Sequence, residues 1–262
     1  MRLLMAGDTH GDLKSVQHKI DMAVEHGVQR IVVLGDFGLW WGFEGVEFLD
    51  EINYRLKAAN RQLFAIPGNH ENHELWDALY EHGPKSRGWA YVRTNVLIAP
   101  KVLDFVWGGK QFMVAGGAVS IDKDERLEYE AKKGKRIWSP GEQLKDWQVD
   151  ELLATRFNKL ASPAAPKVDY LLTHDCSNMT PWRGRLKPDL DSQIHRQRID
   201  RVLRGIQPAN HFHGHMHDRY DWQNLTGDDH WTQTYGLECN RDKDSWGILN
   251  LDTDEFTFAT DL

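Results

Sequence analysis

Along the first part of the chain, short apolar runs alternate with longer amphipathic stretches, and each run breaks off at glycine followed by Asp or Asn. Leu3 to Ala6, Ile31 to Leu34 and Leu63 to Ile66 read as strands; Gly7-Asp8, Gly35-Asp36 and Gly68-Asn69 lie just beyond them. Leu13 to His26 reads as a helix with Val16, Ile20, Ala23 and Val24 on one face, and Val46 to Ala59 and His73 to Glu81 read as two more. This strand–helix rhythm predicts an α/β protein.

From Ala90 to Gly116 the pattern shifts to brief runs between turn residues: Tyr91-Val92, Val96 to Ile98, Leu103 to Trp107 and Phe112 to Ala115. These suit a meander, and a second sheet is expected to start there. Residues 120 to 139 carry a dense run of charge, Asp122 to Arg126 and a cluster from Lys132 to Arg136, and are expected to form an inserted, solvated loop or lid. Pro140 to Leu160 reads as a helix, with Ser139 as N-cap, Pro140 in first position and Glu142 in the first turn. A Ser-Pro-Ala-Ala-Pro linker at 162–166 leads to a strand from Val168 to Thr173, a helix from Asp191 to Gly205 and a strand from Asn210 to Phe212. Strands near Tyr220 to Leu225, Trp231 to Leu237, Ile248 to Leu251 and Phe256 to Ala259 complete the pattern, without internal repeats.

Composition narrows the class. A chain of 262 residues, 40% hydrophobic and 27% charged, suits one domain over 1–262 with a sizeable core. A formal charge of −7 supplies no overall basic field for gripping long nucleic acid, although a local basic patch would be hidden in the average, so nucleic acid stays open as a partner. Cys176 and Cys239 lie far apart and in no CxxC pair, which argues against a disulfide framework or a thiolate zinc site and favours the cytoplasm. The apolar run at Met1 to Ala6 is too short for a signal peptide, and no run approaches the ~20 apolar residues of a membrane span.

The residues just past the strands carry the chemistry. They are Asp8-x-His10, Gly35-Asp36, Gly68-Asn69-His70-Glu71, Thr173-His174 and Gly214-His215-x-His217, all oxygen or imidazole donors. In open α/β sheets ligands gather at these strand ends. One such Asp is ordinarily a helix cap and a lone His ordinarily a satisfied polar residue; the recurrence at successive strand ends is what points to a shared metal site. Mixed oxygen and nitrogen donors without thiolate suit Mn, Fe, Zn, Ni or Co better than an oxygen-only Ca or Mg site. His211 and His213 alternate with the last pair and read as ordinary strand residues.

This ordered set resembles the signature of calcineurin-like metallophosphoesterases along nearly the whole chain, and the segment Gly116 to Lys123, with Arg126 and Trp138 beyond it, looks like a bacterial and phage-type branch. The resemblance implies a four-layer α/β/β/α sandwich with two mixed sheets and two divalent metal ions, manganese first among the candidates. It implies that Asp8, His10 and His217 hold one ion, Asn69, His174 and His215 the other, and that Asp36 bridges them. His70 is left unligated, facing substrate to protonate the leaving oxygen. The implied reaction is attack on a phosphoester by a metal-bridging hydroxide.

Neighbours in a position to support the ligands are Asp12, Glu71, Asp175 and Cys176. Were the charged segment to fold over the metals, Lys123 or Arg126 would contact a phosphate oxygen. Trp40, Trp41, Trp138 and Trp182 flank the motif loops, where a nucleobase could stack. Ser/Thr protein phosphatases share much of the pattern but follow the bridging Asp with Val-Asp-Arg-Gly, whereas this chain reads Asp36-Phe37-Gly38-Leu39-Trp40. The departure favours a small phosphoester, such as a nucleotide, over a phosphoprotein. A metal-binding scaffold without turnover is the remaining alternative, and the complete ligand set with His70 argues against it. Oligomeric state is not legible.

Overall fold

The computed structural model describes residues 1–160, 167–183 and 187–262, so the linker expected at 162–166 lies outside the described residues. Two mixed sheets stand face to face. The first contains β1 (Arg2–Ala6), β2 (Arg30–Val33), β3 (Gln62–Ala65), β4 (Lys85–Ser86), β5 (Trp89–Tyr91), β6 (Val96–Ile98), β13 (Trp246–Asn250) and β14 (Glu255–Phe258), in the order β14-β13-β1-β2-β3-β6-β5-β4. The second contains β7 (Val102–Trp107), β8 (Lys110–Ala115), β9 (Tyr170–Thr173), β10 (Asn210–His213), β11 (Tyr220–Leu225) and β12 (Trp231–Gly236), in the order β11-β12-β10-β9-β8-β7. The parallel strands β1, β2 and β3 form the centre of one sheet and β8, β9 and β10 that of the other.

The central strands are buried on both faces, and their period of two splits each between two cores. Leu4 and Ala6 of β1 pack outward with Ile31, Val33, Leu63 and Ala65 against α1 (Leu13–Glu25), α2 (Phe43–Ala59) and α3 (His73–His82). Leu3 and Met5 point the other way with Val32 and Phe64, meeting Phe112, Val114, Tyr170, Leu172 and Phe212 between the sheets. Met113, Ala115 and Leu171 face the far side, against α5 (Asp146–Leu160) and α6 (Leu190–Ile206). Three interfaces make four layers, α/β/β/α, as expected. Each buried Leu, Ile or Phe contributes ~1.5–3 kcal/mol relative to an exposed one.

Three local expectations are corrected. The second sheet begins at β7 rather than near Ala90, because β5 and β6 pair with each other and β6 with β3, all in the first sheet. The charged segment 120–139 is not an irregular loop but contains α4 (Lys123–Lys133), which buries no residue. With no apolar stripe, α4 is supported by acidic residues in its first turn, Lys132 and Lys133 in its last, a left-handed Gly134 cap, and Asp122–Arg126 and Glu128–Lys132 pairs at i,i+4. Finally, α5 starts at Asp146, not Pro140: Glu142 is buried against Ser120 and Trp138, while Gln148 reaches back to the Lys145 N–H at 2.9 Å. Among the described residues no helix is long and apolar enough to cross a membrane.

Candidate metal centre

The carboxyl ends of β1, β2, β3, β9 and β10 converge at one edge of the sandwich and bring the expected residues together. The backbone is forced there. His10, Asp36, His215 and His217 all have positive φ, at 46°, 48°, 63° and 52°. Such residues cost of order ~1–3 kcal/mol each and persist where the surroundings over-determine them, commonly at functional sites. Two glycines allow the close approach. A Cβ on Gly35 would lie 2.2 Å from His174 Nδ1, and one on Gly214 would lie 2.1 Å from Asp8 Oδ1.

Asp36 is central. Its Oδ1 accepts the His70 backbone N–H at 2.8 Å and lies 3.4 Å from His174 Nε2; its Oδ2 lies 3.5 Å from His10 Nε2 and 3.7 Å from His70 Nε2. Asp8 Oδ1 accepts the His215 backbone N–H at 3.0 Å, and Asp8 Oδ2 meets His217 Nε2 at 2.8 Å. His174 Nε2 lies 2.9 Å from Asn69 Oδ1, and the His215 ring sits 5.0 Å from the His174 ring. Donor atoms cluster closely enough to share an ion in three overlapping groups: Asp8, His10 and His217; His10, Asp36 and His70; and Asp8, Asp36 and His174. His215 belongs to none of the three, and His70, expected to stand apart, belongs to one.

Outer partners aim the imidazoles. His174 Nδ1 donates to Leu34 O at 2.7 Å and His10 Nδ1 to Asn240 Oδ1 at 3.1 Å, which leaves both Nε2 atoms facing the carboxylates. Asn240 is held in turn by Ser15 Oγ, 2.6 Å from its carbonyl, and by the buried Lys19 ammonium. Asn69 Nδ2 donates to Ser120 Oγ at 3.0 Å, and Ser120 donates to Glu142 Oε2 at 2.6 Å. Sequence reasoning missed the supporting roles of Asn240, Ser120 and Glu142, which are distant along the chain from the residues they support; it places Ser120 only within the Gly116 to Lys123 segment and Glu142 only in the first turn of the expected helix. The supports it did name act otherwise. Asp12 caps α1, Glu71 accepts the backbone N–H groups of Phe37, Gly38 and Leu39 at 2.6–3.2 Å, and Asp175 holds His195 at 2.8 Å. Cys176 is fully buried, which pushes its thiol up to about 12.

The electrostatics follow from anions packed beside imidazoles. Burial raises the Asp8 carboxyl, but His174 and His217 outweigh it and bring it to about 2. Asp36, opposed in the same way by burial and drawn down by His174 and His70, sits well below the usual carboxylate range. Burial lowers His10 and His174, yet the facing Asp36 and Asp8 carboxylates raise both to about 9. Burial also lowers His70, and the Arg126 guanidinium, with Nη2 3.2 Å from His70 Nε2, lowers it further.

One atom tests whether a metal fits. Asp36 Oδ2 is buried and lacks any hydrogen-bond donor among the described residues, an arrangement that costs free energy unless a cation completes it. The surrounding carboxylate, amide and imidazole donors match that need. His211 and His213, by contrast, are strand residues engaged elsewhere, His211 Nε2 at 2.7 Å from Thr173 Oγ1 and His213 Nε2 at 2.5 Å from the Tyr220 hydroxyl. Arg126 reaches the site, whereas Lys123 Nζ lies over the Trp138 ring at 4.7 Å.

A four-layer sandwich with a carboxylate–imidazole cluster at its strand ends is the architecture of a metal-dependent hydrolase. The chain belongs to the calcineurin-like phosphoesterase family, which it matches over residues 1–219, and is a metal-dependent phosphoesterase. Among solved structures it is similar to the TT1561 protein of Thermus thermophilus, with a TM-score of 0.59 and 14% identity over 98% of this chain and 96% of that one. It is also similar to a dimetal phosphatase from Danio rerio, with a TM-score of 0.58 and 14% identity over 95% of this chain and 91% of the other. At such identity these likenesses show the fold alone. No curated protein matches the sequence.

Proposed function

We propose that the chain hydrolyses a small phosphoester with two divalent cations, manganese first among the candidates, held by Asp8, His10, Asp36, Asn69, His174, His215 and His217. The orphaned Asp36 Oδ2 carries this reading, since a carboxylate facing two clusters of donors is placed to serve two ions at once. A dimetal phosphatase among the similar structures supports it. When bound, such a pair supplies neutralisation of phosphoryl charge and a water acidified towards neutrality.

The chain's own residues do the rest. Asn240 and the Leu34 carbonyl fix His10 and His174 with Nε2 inward, and the His215 amide and His217 ring fix Asp8, so the donors need not reorganise. His70 faces Arg126 and Asp36 at the open side, where it would protonate the leaving oxygen or stabilise charge on the phosphoryl group, while Arg126 would face a phosphoryl oxygen. Leu39, buried in the core, and Trp40 cannot serve as the carboxylate and the arginine that protein phosphatases carry in Val-Asp-Arg-Gly, which favours a small ester over a phosphoprotein. Residues 1–262 act as one domain, because the same strands line adjacent cores, and the two free, buried cysteines suit the cytoplasm.

The test is hydrolysis of p-nitrophenyl phosphate and bis-p-nitrophenyl phosphate by metal-stripped protein, with Mn, Ni, Zn or Mg restored. Turnover is expected only with metal, and His70→Ala is expected to lower kcat by ~10²–10⁴-fold with metal content intact. No turnover despite two bound ions would overturn the reading. Equal loss of metal and turnover in His70→Ala would make His70 a ligand, as its grouping with His10 and Asp36 allows.

A further inference from the structure

Next to the cluster a cavity of about 300 Å³ opens, and it shares His10 and His70 with the metal site. With a phosphoryl group at the cluster and its ester oxygen facing His70, the rest of the substrate has to continue into this space. Besides Ile137, the remaining lining is of two kinds. Trp40, Trp41 and Tyr129 supply aromatic surface, and Arg126, Lys135 and Arg136 supply positive charge.

Neither kind is explained by core packing. Trp40 and Tyr129 remain 38% and 42% exposed, and the Trp41 indole N–H has no acceptor among the described residues. Partly exposed aromatic rings beside a polar site offer flat faces that stack on a planar ligand. The cations are pre-positioned. Asp122 holds Arg126 Nε at 2.8 Å and the Ile137 carbonyl holds its Nη1 at 3.2 Å, which directs Nη2 at His70. Lys135 and Arg136 pair with the exposed Glu44 of α2 and Glu74 of α3, and exposed pairs exchange cheaply for an anionic ligand. The volume lies at the low end of the ~300–1,000 Å³ typical of small-molecule sites, which suits one small molecule and not a polymer or a protein loop.

We propose that this cavity is the leaving-group pocket and that it selects a planar heteroaromatic group, making the substrate a mononucleotide. The proposal rests on the phosphoesterase reading of the adjacent cluster. In the reaction a water oxygen bonds to phosphorus, the P–O ester bond breaks, and the nucleoside oxygen takes a proton, giving a nucleoside and inorganic phosphate. Trp40, Trp41 and Tyr129 act as specificity residues that contact the base.

Binding tests this apart from turnover. The probes are the methylene phosphonate analogues of adenosine 5′-monophosphate and of ribose 5-phosphate, which share the phosphonate and the sugar and, with CH2 in place of the ester oxygen, have no ester bond to hydrolyse. Titrated into the metal-loaded protein, the adenosine compound is expected to bind about tenfold more tightly or better, in line with the worth of stacking a base on an aromatic face. In Trp41→Leu, and in Tyr129→Ala on the surface of α4, that ratio should fall towards one; in Arg126→Gln both affinities should drop and the ratio should hold. Equal affinities in the wild type, or aromatic substitutions that weaken both ligands alike, would overturn the proposal. Preference without turnover of any ester would leave the pocket standing and sink the hydrolytic reading, and turnover without preference would do the reverse.

Discussion

The donor cluster and the α4 side of the cavity lie side by side yet are built on opposite principles. Asp8, Asp36 and His174 are buried, their imidazole and backbone partners leave little freedom, and four residues of the cluster hold strained dihedrals. The α4 segment buries nothing along its helix and is joined to α2 and α3 by the exposed pairs Lys135–Glu44 and Arg136–Glu74. Chemistry common to every phosphoester calls for rigid, preorganised donors. Recognition of one particular leaving group needs only a surface, which a charged helix carries at small cost in stability. On the proposals above, the division would assign reaction type to the buried donors and selectivity to the pocket that Tyr129 of α4 lines together with Trp40 and Trp41.

Asp36→Asn strikes this division hardest. It keeps the shape but removes the anion from between the donor groups, so metal content should fall at both sites and turnover by on the order of 10³-fold. Loss of only one ion, measured by metal analysis, would show that Asp36 is not shared. Asn240→Gly comes next: glycine accommodates the φ of 50° at that position while removing the oxygen that orients His10. Metal affinity should weaken by ~10–100-fold with the fold intact, read by competition with a chelator. Glu74→Gln should do least. Loosening Arg136 from α3 should shift unfolding free energy by no more than ~1 kcal/mol. A shift of several kcal/mol in denaturant titration would mean that the α4 side is as deeply embedded as the cluster, and the contrast would fail.

The same contrast explains what could be read in the chain. Strand ends were legible because Leu3 to Ala6, Ile31 to Leu34 and Leu63 to Ile66 are buried on both faces and stop abruptly at Gly-Asp or Gly-Asn, so the donors announce themselves. Helix α4 was not, since a helix that buries no side chain leaves no apolar period, and its i,i+4 pairs are lost in a dense run of charge. Ser139-Pro140 imitates a helix start, but the Glu142 carboxylate is taken by Ser120 and Trp138, and burial raises it to about 7. The sheet assignment of β5 and β6 is a pairing decision between distant strands that local pattern does not encode. Asn240 escaped for the same reason, lying 230 residues from the histidine it orients.

The two halves of the sandwich supply different donors: Asp8, Asp36 and Asn69 follow strands of the first sheet, while His174 and His215 follow strands of the second. An ion gripped by both would rivet one half to the other at the open edge, closing loops of chain that unfolding must reopen. Since only the folded form presents that grip, free metal at a hundred times its dissociation constant would add ~2.7 kcal/mol to stability. Metal scarcity in the cell would then be felt first as a shorter-lived protein, before any slowing of the molecules that remain folded.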